Sequence, residues 1–289
     1  MWQELENQIS QATGQSFQIQ DRRSVGGGCI SQAYVITDGN ETYFVKFNSA
    51  SEYDMFEAEA LGLKEMFETQ TIRVPKPICW GTADSAAYIV MEQLELRRGS
   101  GSEVWYTMGQ QLADMHRKGT AEQFGWHRNN TIGSTPQMNP WTDNWADFFA
   151  EHRIGYQVDL AKHCGGRYPD SHQVVEKVRE VLADHHPQPS LVHGDLWGGN
   201  AEVTKEGEPV ILDPATYYGD REVDIAMSEL FGGFPAPFYQ GYNDTWELDG
   251  SYQNRKDLYN LYHILNHFNL FGGGYGSQAS RMIDRLMKT

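Results

Sequence analysis

A chain of 289 residues with 39 acidic against 23 basic side chains carries a net charge of −16, which repels polyanions and excludes nucleic acid as an expected partner. Its 39% apolar and 12% aromatic content suits a sizeable core, yet the longest apolar runs, such as AAYIVM at 86–91, fall far short of the roughly 20 residues that cross a bilayer. No membrane partner is expected, and because MWQELENQIS lacks the basic and apolar stretches of an export signal, the expected location is cytoplasmic.

Residues 1–14 space Trp2, Leu5 and Ile9 by three and four before Gly14, the pattern of a short amphipathic helix. FQIQDRRSV, GGGCISQAYVIT and TYFVKFN then predict a three-stranded antiparallel meander over 17–47. SEYDMFEAEALGLKEMFE predicts a helix of about four turns, with Ser51 as N-cap and Met55, Ala58, Leu61, Leu63 and Met66 on its apolar side. Pro75 and Pro77 close that unit, and ICWGTA and AAYIVMEQL add two strands, for a five-stranded sheet carrying one helix. ELRRGSGS reads as a hinge, after which the pattern from Val104 is mostly helical. The expected organisation is α+β, a small lobe over 1–93 and a larger helical lobe over 94–289 with a cleft between them.

LVHGDLWGGN, residues 191–200, leaves a short predicted strand at 190–193, and PVILDPA at 209–215 is a second strand ending at an aspartate; the two acidic ends are expected to meet in one hairpin-like unit. Phosphoryl transfer from a nucleotide needs a group that orients the attacking hydroxyl and oxygen ligands for magnesium. In protein-kinase-like enzymes an aspartate five residues before an asparagine, and a second aspartate after the next strand, supply them; Asp195, Asn200 and Asp213 stand in those places. Alone, the Asp–Asn spacing is a common polar turn. Its weight comes from order along the chain: a glycine turn between strands (Gly26, Gly27, Gly28), a lysine within the next strand (Lys46) and a glutamate on the following helix (Glu59). An ammonium among Phe44, Val45 and Phe47 is costly unless paired, which Glu59 or its rival Glu57 would provide, with the apolar pattern downstream favouring Glu59.

The segments HGDLWGGN and DPATYYGDRE resemble the signature of the fructosamine kinase (ketosamine 3-kinase) family, within the aminoglycoside and choline phosphotransferase group of protein-kinase-like folds. The similarity extends through GGGCISQAY, YFVKFN, MFEAEALGL, FGWHRNNTIG and LYHILNHFNLFGGGY, nearly the whole chain. It implies a bilobal kinase-like fold using ATP and Mg2+. Asp195 would orient or accept the proton of the sugar hydroxyl, Asn200 and Asp213 would bind the metal, and Lys46 with Glu59 would hold the phosphates. Glu92, Gln93 and Leu94 would form the adenine-binding hinge. His193 would brace the loop and Asp224 anchor it from below. The implied substrate is a ketosamine, free or protein-bound, phosphorylated on the third sugar carbon. For the acceptor, Trp197 offers a flat face on which a sugar ring could pack.

Two other functions stay open at this stage: a kinase of another small hydroxyl compound, of aminoglycoside or choline type, and a catalytically inactive binding protein on a kinase scaffold. Several features read as structural. Trp141 and Trp145 have the spacing of a helix core stripe, and His263 and His267 lack the glutamate of a zinc helix. FGGGY follows a helix and reads as its stop, while His185 and His186 before Pro187 read as a helix end. The odd count of cysteines argues against a disulfide framework. Cys29, beside the glycine turn, is the candidate for a reactive thiol and a redox-linked dimer; nothing else bears on the oligomeric state.

Overall fold

The computed structural model describes residues 1–26, 31–97 and 101–289. Helix α1 (Trp2–Thr13) buries Leu5 and Ile9 and ends at Gly14, whose φ of 71° is left-handed. It lies on one face of a sheet made of β1 (Asp21–Val25), β2 (Gln32–Thr37), β3 (Thr42–Ser49), β4 (Pro77–Ala83) and β5 (Ala86–Glu92). The strands run β1-β2-β3-β5-β4 with every neighbour antiparallel, so the expected meander and its two added strands are all present.

The pleat of β3 decides where chemistry can occur. Tyr43, Val45 and Phe47 are buried in the cluster under α1, and the alternate residues Phe44, Lys46 and Asn48 point to the other face. Helix α2 (Tyr53–Glu68) packs against strands of the same sheet and buries Phe56, Ala58, Ala60, Leu63 and Met66. Met55 and Leu61, expected on its apolar side, are only partly buried. Ser51 is not the N-cap: a 3-10 turn over Ala50–Glu52 precedes the helix, and the Ser51 hydroxyl contacts Ser49 Oγ at 2.6 Å.

The expected hinge is partly strand. Leu96–Arg97 (β6) pairs antiparallel with β10 (Ala201–Thr204), and Arg98, Gly99 and Ser100 lie outside the described residues. Helix α3 (Ser102–Lys118) follows, then a hairpin of β7 (Asn130–Ile132) and β8 (Thr135–Gln137), and α4 (Trp145–Phe149), which passes through a π-helical turn at Ala150–Gly155 into α5 (Tyr156–His163). Helix α6 (Ser171–Leu182) is capped by the Asp170 carboxylate, which accepts from the His172 N–H at 2.9 Å. The remaining elements are β9 (Ser190–Val192), β11 (Pro209–Ile211), β12 (Tyr217–Gly219), α7 (Glu222–Leu230), α8 (Ala236–Trp246), α9 (Tyr252–Phe271) and α10 (Gly274–Leu286). Helices α3 and α8 touch backbone to backbone: a Cβ on Gly109 would stand 2.0 Å from the Phe238 carbonyl oxygen, and one on Gly241 2.0 Å from that of Tyr106.

The strands around the loop of interest are nested. β10 pairs with β11 inside, and β9 pairs with β12 outside, so the two acidic strand ends belong to different ribbons and not to one hairpin. They are still joined, because the Ala215 N–H donates to the His193 carbonyl at 2.8 Å and the Leu212 N–H to the Asn200 carbonyl at 2.9 Å. Trp145 is buried at the start of α4, whereas Trp141 precedes the helix, is 44% exposed and lies against Tyr218, so the two do not form one helical stripe. Among the described residues no helix is long and apolar enough to cross a membrane.

Candidate active site

Lys46 stands on the face of β3 that carries α2, and α2 brings Glu59 to it: Nζ donates to Glu59 Oε1 at 2.7 Å and to Asp213 Oδ1 at 2.5 Å. Burial opposes charge on this lysine, but the two carboxylates outweigh it and hold its pKa above the ordinary lysine value. Asp213 lies just past β11 at φ 53°, a left-handed backbone rare outside glycine, with its side chain 58% exposed. Burial pushes its pKa upward, but the Lys46 ammonium dominates and holds it below the usual carboxylate range. Glu57 faces elsewhere, accepting from Tyr53 Oη at 2.7 Å and from Arg128 Nη1 at 2.5 Å. Glu59, and not Glu57, is the partner of Lys46.

The loop between β9 and β10 is held chiefly through backbone. Buried Asp224 accepts the N–H groups of His193 at 2.7 Å and Gly194 at 2.8 Å. Gly194 has φ 81°, and a Cβ there would stand 2.2 Å from the Ala215 carbonyl oxygen, so no other residue fits. The partners of His193 fix its tautomer: the Leu212 carbonyl, 2.7 Å from Nε2, can only accept, and the Asp195 N–H, 3.2 Å from Nδ1, can only donate. Burial lowers its pKa, so the ring is neutral with its proton on Nε2, fully engaged in bracing the loop.

Asp195, so positioned, has its carboxyl pushed up to about 7, first by burial and then by the neighbouring charge of Asp213, against one lowering contact from Asn200. Asn200 Nδ2 donates to the Asp195 carbonyl at 2.9 Å and approaches Asp195 Oδ2 at 3.3 Å, which leaves Oδ1 as the amide's acceptor atom. Asp213 and Asn200 therefore offer hard oxygen donors, one anionic and one neutral, the set that suits a hydrated magnesium ion. Trp197 is 41% exposed, its ring lying so close over Gly199 that a Cβ there would come within 2.4 Å of it.

Of the other expected site residues, Gly26 is exposed at the end of β1, and Gly27, Gly28 and Cys29 lie outside the described residues. Glu92 ends β5 and pairs with Arg73, while Gln93 Nε2 donates to the Leu94 carbonyl at 2.9 Å. Cys79 and Cys164 are free thiols, and burial pushes that of Cys79 up to about 12. In α9, His267 Nδ1 donates to the His263 carbonyl at 2.8 Å, and among the described residues no third His, Cys, Asp or Glu gathers with the pair to complete a metal site. His185, Asp220 and Glu222 do gather potential ligand atoms within 4.8 Å, but Tyr259 Oη donates to Asp220 at 2.6 Å and Arg255 binds Glu222 at 2.7 Å through two nitrogens. Protein donors already occupy those carboxylate oxygens.

Several residues of this surround were not anticipated from sequence. Arg128 ties α2 to the segment before β7, and Glu65 on α2 accepts from Trp126 Nε1 at 3.0 Å and Tyr218 Oη at 3.1 Å. His116, from α3, reaches Asp224. FGWHRNN carried the signal for Arg128 and Trp126 in its density of polar and aromatic residues, but nothing local named their partners.

The description fructosamine kinase attaches to a family model that matches residues 1–289. A relative in Synechocystis sp., named a probable ketoamine kinase, is 60% identical over 99% of this chain and 97% of its own length. The chloroplastic protein-ribulosamine 3-kinase of Arabidopsis thaliana is 43% identical over 95% of this chain and 85% of its own. The crystal structure of a Haemophilus somnus protein assigned as a fructosamine-3-kinase superposes with a TM-score of 0.93 at 30% identity, covering 99% of this chain and 97% of that one. The aminoglycoside phosphotransferase APH(4)-Ia, at 15% identity and a TM-score of 0.62 over 100% of this chain and 99% of its own, shares the fold, a kinase-like α+β architecture. With its full length matched and the paired lysine, the acidic loop and the second aspartate in one place, this chain belongs to the fructosamine kinase family.

Proposed function

We propose that this protein is an ATP- and magnesium-dependent kinase that phosphorylates the 3-hydroxyl of ketosamines, the fructosamine or ribulosamine adducts that sugars form with amines. A phosphate at that position makes the adduct labile, so the reaction serves deglycation repair, and we read the enzyme as cytoplasmic. The observation that carries this reading is the convergence of Lys46, Glu59 and Asp213 beside the Asp195–Asn200 loop.

In this reading residues 1–93 form the nucleotide-binding lobe and 94–289 the catalytic and acceptor-binding lobe. Gly26, Gly27 and Gly28 are assigned to the phosphates, and the backbone of Glu92, Gln93 and Leu94 to adenine. Lys46, steadied by Glu59, exchanges its contact with Asp213 for phosphate oxygens when nucleotide enters. Asn200 Oδ1 and Asp213 would hold magnesium, which when bound would neutralise charge on the phosphoryl group. Asp195 receives the hydroxyl of the acceptor and orients it in line. With a carboxyl pushed up to about 7, it can take the proton as the new ester forms and release it at neutral pH. Trp197 packs on the sugar ring.

The test is an ADP-release assay over a panel of sugar–amine adducts, aminoglycosides and choline, with the phosphate located by NMR. Phosphate on the third sugar carbon of fructoselysine or a ribulosamine is the expected result. Turnover of kanamycin or choline with none on ketosamines would replace the substrate class, and no turnover of any acceptor would favour a binding protein on this scaffold.

A further inference from the structure

A continuous file of hydrogen bonds runs through the core and ends on the catalytic loop. Arg221 Nη1 donates to Tyr242 Oη at 3.2 Å, Tyr242 Oη meets His116 Nδ1 at 2.8 Å, and His116 Nε2 meets Asp224 Oδ2 at 3.0 Å. Asp224 then accepts the His193 and Gly194 N–H groups through both of its oxygens. The polarity is consistent throughout. The carboxylate can only accept, so Nε2 carries the imidazole proton, and Nδ1 is left to accept from the Tyr242 hydroxyl, whose oxygen in turn receives Arg221. His116, Tyr242 and Asp224 are all essentially inaccessible to water, at 0%, 1% and 0% exposure. At the outer end Arg221 is itself fixed, stacked 3.9 Å over Trp246 and donating to the Trp246 and Glu247 carbonyls at 2.7 Å.

We propose that Tyr242 and His116 are positioning residues for phosphoryl transfer, acting through Asp224 to set the backbone of His193 and Gly194 and so the aim of Asp195. This rests on the reading of Asp195 as the residue that orients the acceptor hydroxyl. A carboxylate buried as deeply as Asp224 keeps its charge only while donors surround it, and among the described residues His116 is the one side chain that donates to it. Removing that donor lets the carboxyl take up a proton and weakens both backbone bonds at a left-handed glycine whose conformation nothing else can supply. Asp195 then shifts relative to the acceptor, and small displacements of a reacting group cost rate steeply.

Three variants separate positioning from packing: Tyr242→Phe, which keeps the ring and removes the hydroxyl; His116→Leu, which removes both nitrogens; and His116→Gln, which keeps one donor for Asp224. In Tyr242→Phe, kcat is expected to fall roughly ten-fold, the worth of one buried hydrogen bond to a charged relay, with the KM for ATP unchanged because Lys46 and Glu59 are untouched. His116→Leu should lose more, and His116→Gln should recover part of it. Hydrogen exchange over 191–200 should quicken in Tyr242→Phe and His116→Leu while β2 and β3 stay protected. Parent-like kcat and exchange in Tyr242→Phe and His116→Leu would overturn the proposal. So would a joint fall of kcat, ATP affinity and melting temperature without rescue by glutamine. If the parent phosphorylates no ketosamine, the substrate reading fails while the exchange experiment still decides the relay.

Discussion

The two halves of the site handle charge in opposite ways. On the side assigned to the phosphates, Lys46 lies between Glu59 and Asp213, so each charge has a partner before any nucleotide arrives. On the side assigned to the acceptor, Asp195 is buried with one amide contact from Asn200 and feels two like charges, Asp213 and Asp224, so its carboxyl is pushed up to about 7. In the first arrangement each charge offsets its neighbour's, so that removing one is costly and the contacts must be opened to work; in the second the uncompensated charge subtracts stability and is ready to work. Stability and activity are thus expected to separate by residue.

Asp195→Asn breaks the comparison most sharply. With Asp195 proposed to handle the hydroxyl proton, its loss should lower kcat by roughly 10²–10⁴, with binding of ATP preserved. The same change should raise the melting temperature at pH 8. A carboxyl whose folded pKa lies above its unfolded value favours folding only at low pH, and that contribution is lost as pH rises through about 7. The neutral amide removes a penalty of up to about 4 kcal/mol above that pH and nothing below pH 4. Thermal scans at pH 5 and pH 8 check the sign; a variant less stable than the parent at pH 8 would mean that Asp195 is not held against its charge.

Lys46→Met should act in the other direction. It leaves Glu59, only 13% exposed, without its cation, and should cost about 3 kcal/mol of stability along with most of the nucleotide affinity. Asp213, at 58% exposure, should suffer little from the same change. Denaturant unfolding and ATP calorimetry, each with and without magnesium, measure both effects.

How much of this contrast the sequence carried depends on the range of each interaction. The order of glycine turn, strand lysine, helix glutamate, Asp–Asn loop and second aspartate was legible because each sits on a local element with its own pattern. The antiparallel five-stranded sheet was legible for the same reason. The nesting of β9 with β12 around the pair of β10 and β11 was not, because short apolar strands carry no mark of their partner. His116 meets Tyr242 across 126 positions and Asp224 across 108, distances at which spacing says nothing. The raised pKa of Asp195 comes from burial, which exists only once the chain is folded. Ser51 failed as a cap because a 3-10 turn takes up Ala50–Glu52 and leaves it ahead of the cap position at Glu52.

Trp197→Ala tests the acceptor side alone. The ring rests over Gly199 with 41% of the residue exposed, so its removal should leave folding nearly unchanged and raise the KM for a ketosamine by about ten-fold, with kcat and the KM for ATP within two-fold. Steady-state kinetics with each substrate varied in turn show whether the loss falls on the acceptor. An equal rise in both KM values would mean that the ring plugs the loop instead of meeting the sugar.

The smallest effect is the most discriminating for the phosphate side. Glu57 and Glu59 are two positions apart on α2, and both were possible partners for Lys46 from sequence. Two residues along a helix is about 200° of rotation, so only one of them can face the sheet. Glu57 instead meets Tyr53 and Arg128, with its side chain 28% exposed, a setting in which an ion pair is worth about 1 kcal/mol or less. Glu57→Gln keeps an acceptor for Tyr53 and should change ATP affinity less than two-fold, whereas Glu59→Gln should lower it by roughly ten-fold by freeing Lys46 from its helix anchor. Calorimetric titration of ATP into the two variants, side by side, settles the assignment: a larger loss in Glu57→Gln would require Lys46 to change partners in the nucleotide-bound enzyme, and the pairing that makes this half of the site stable would then be confined to its empty state.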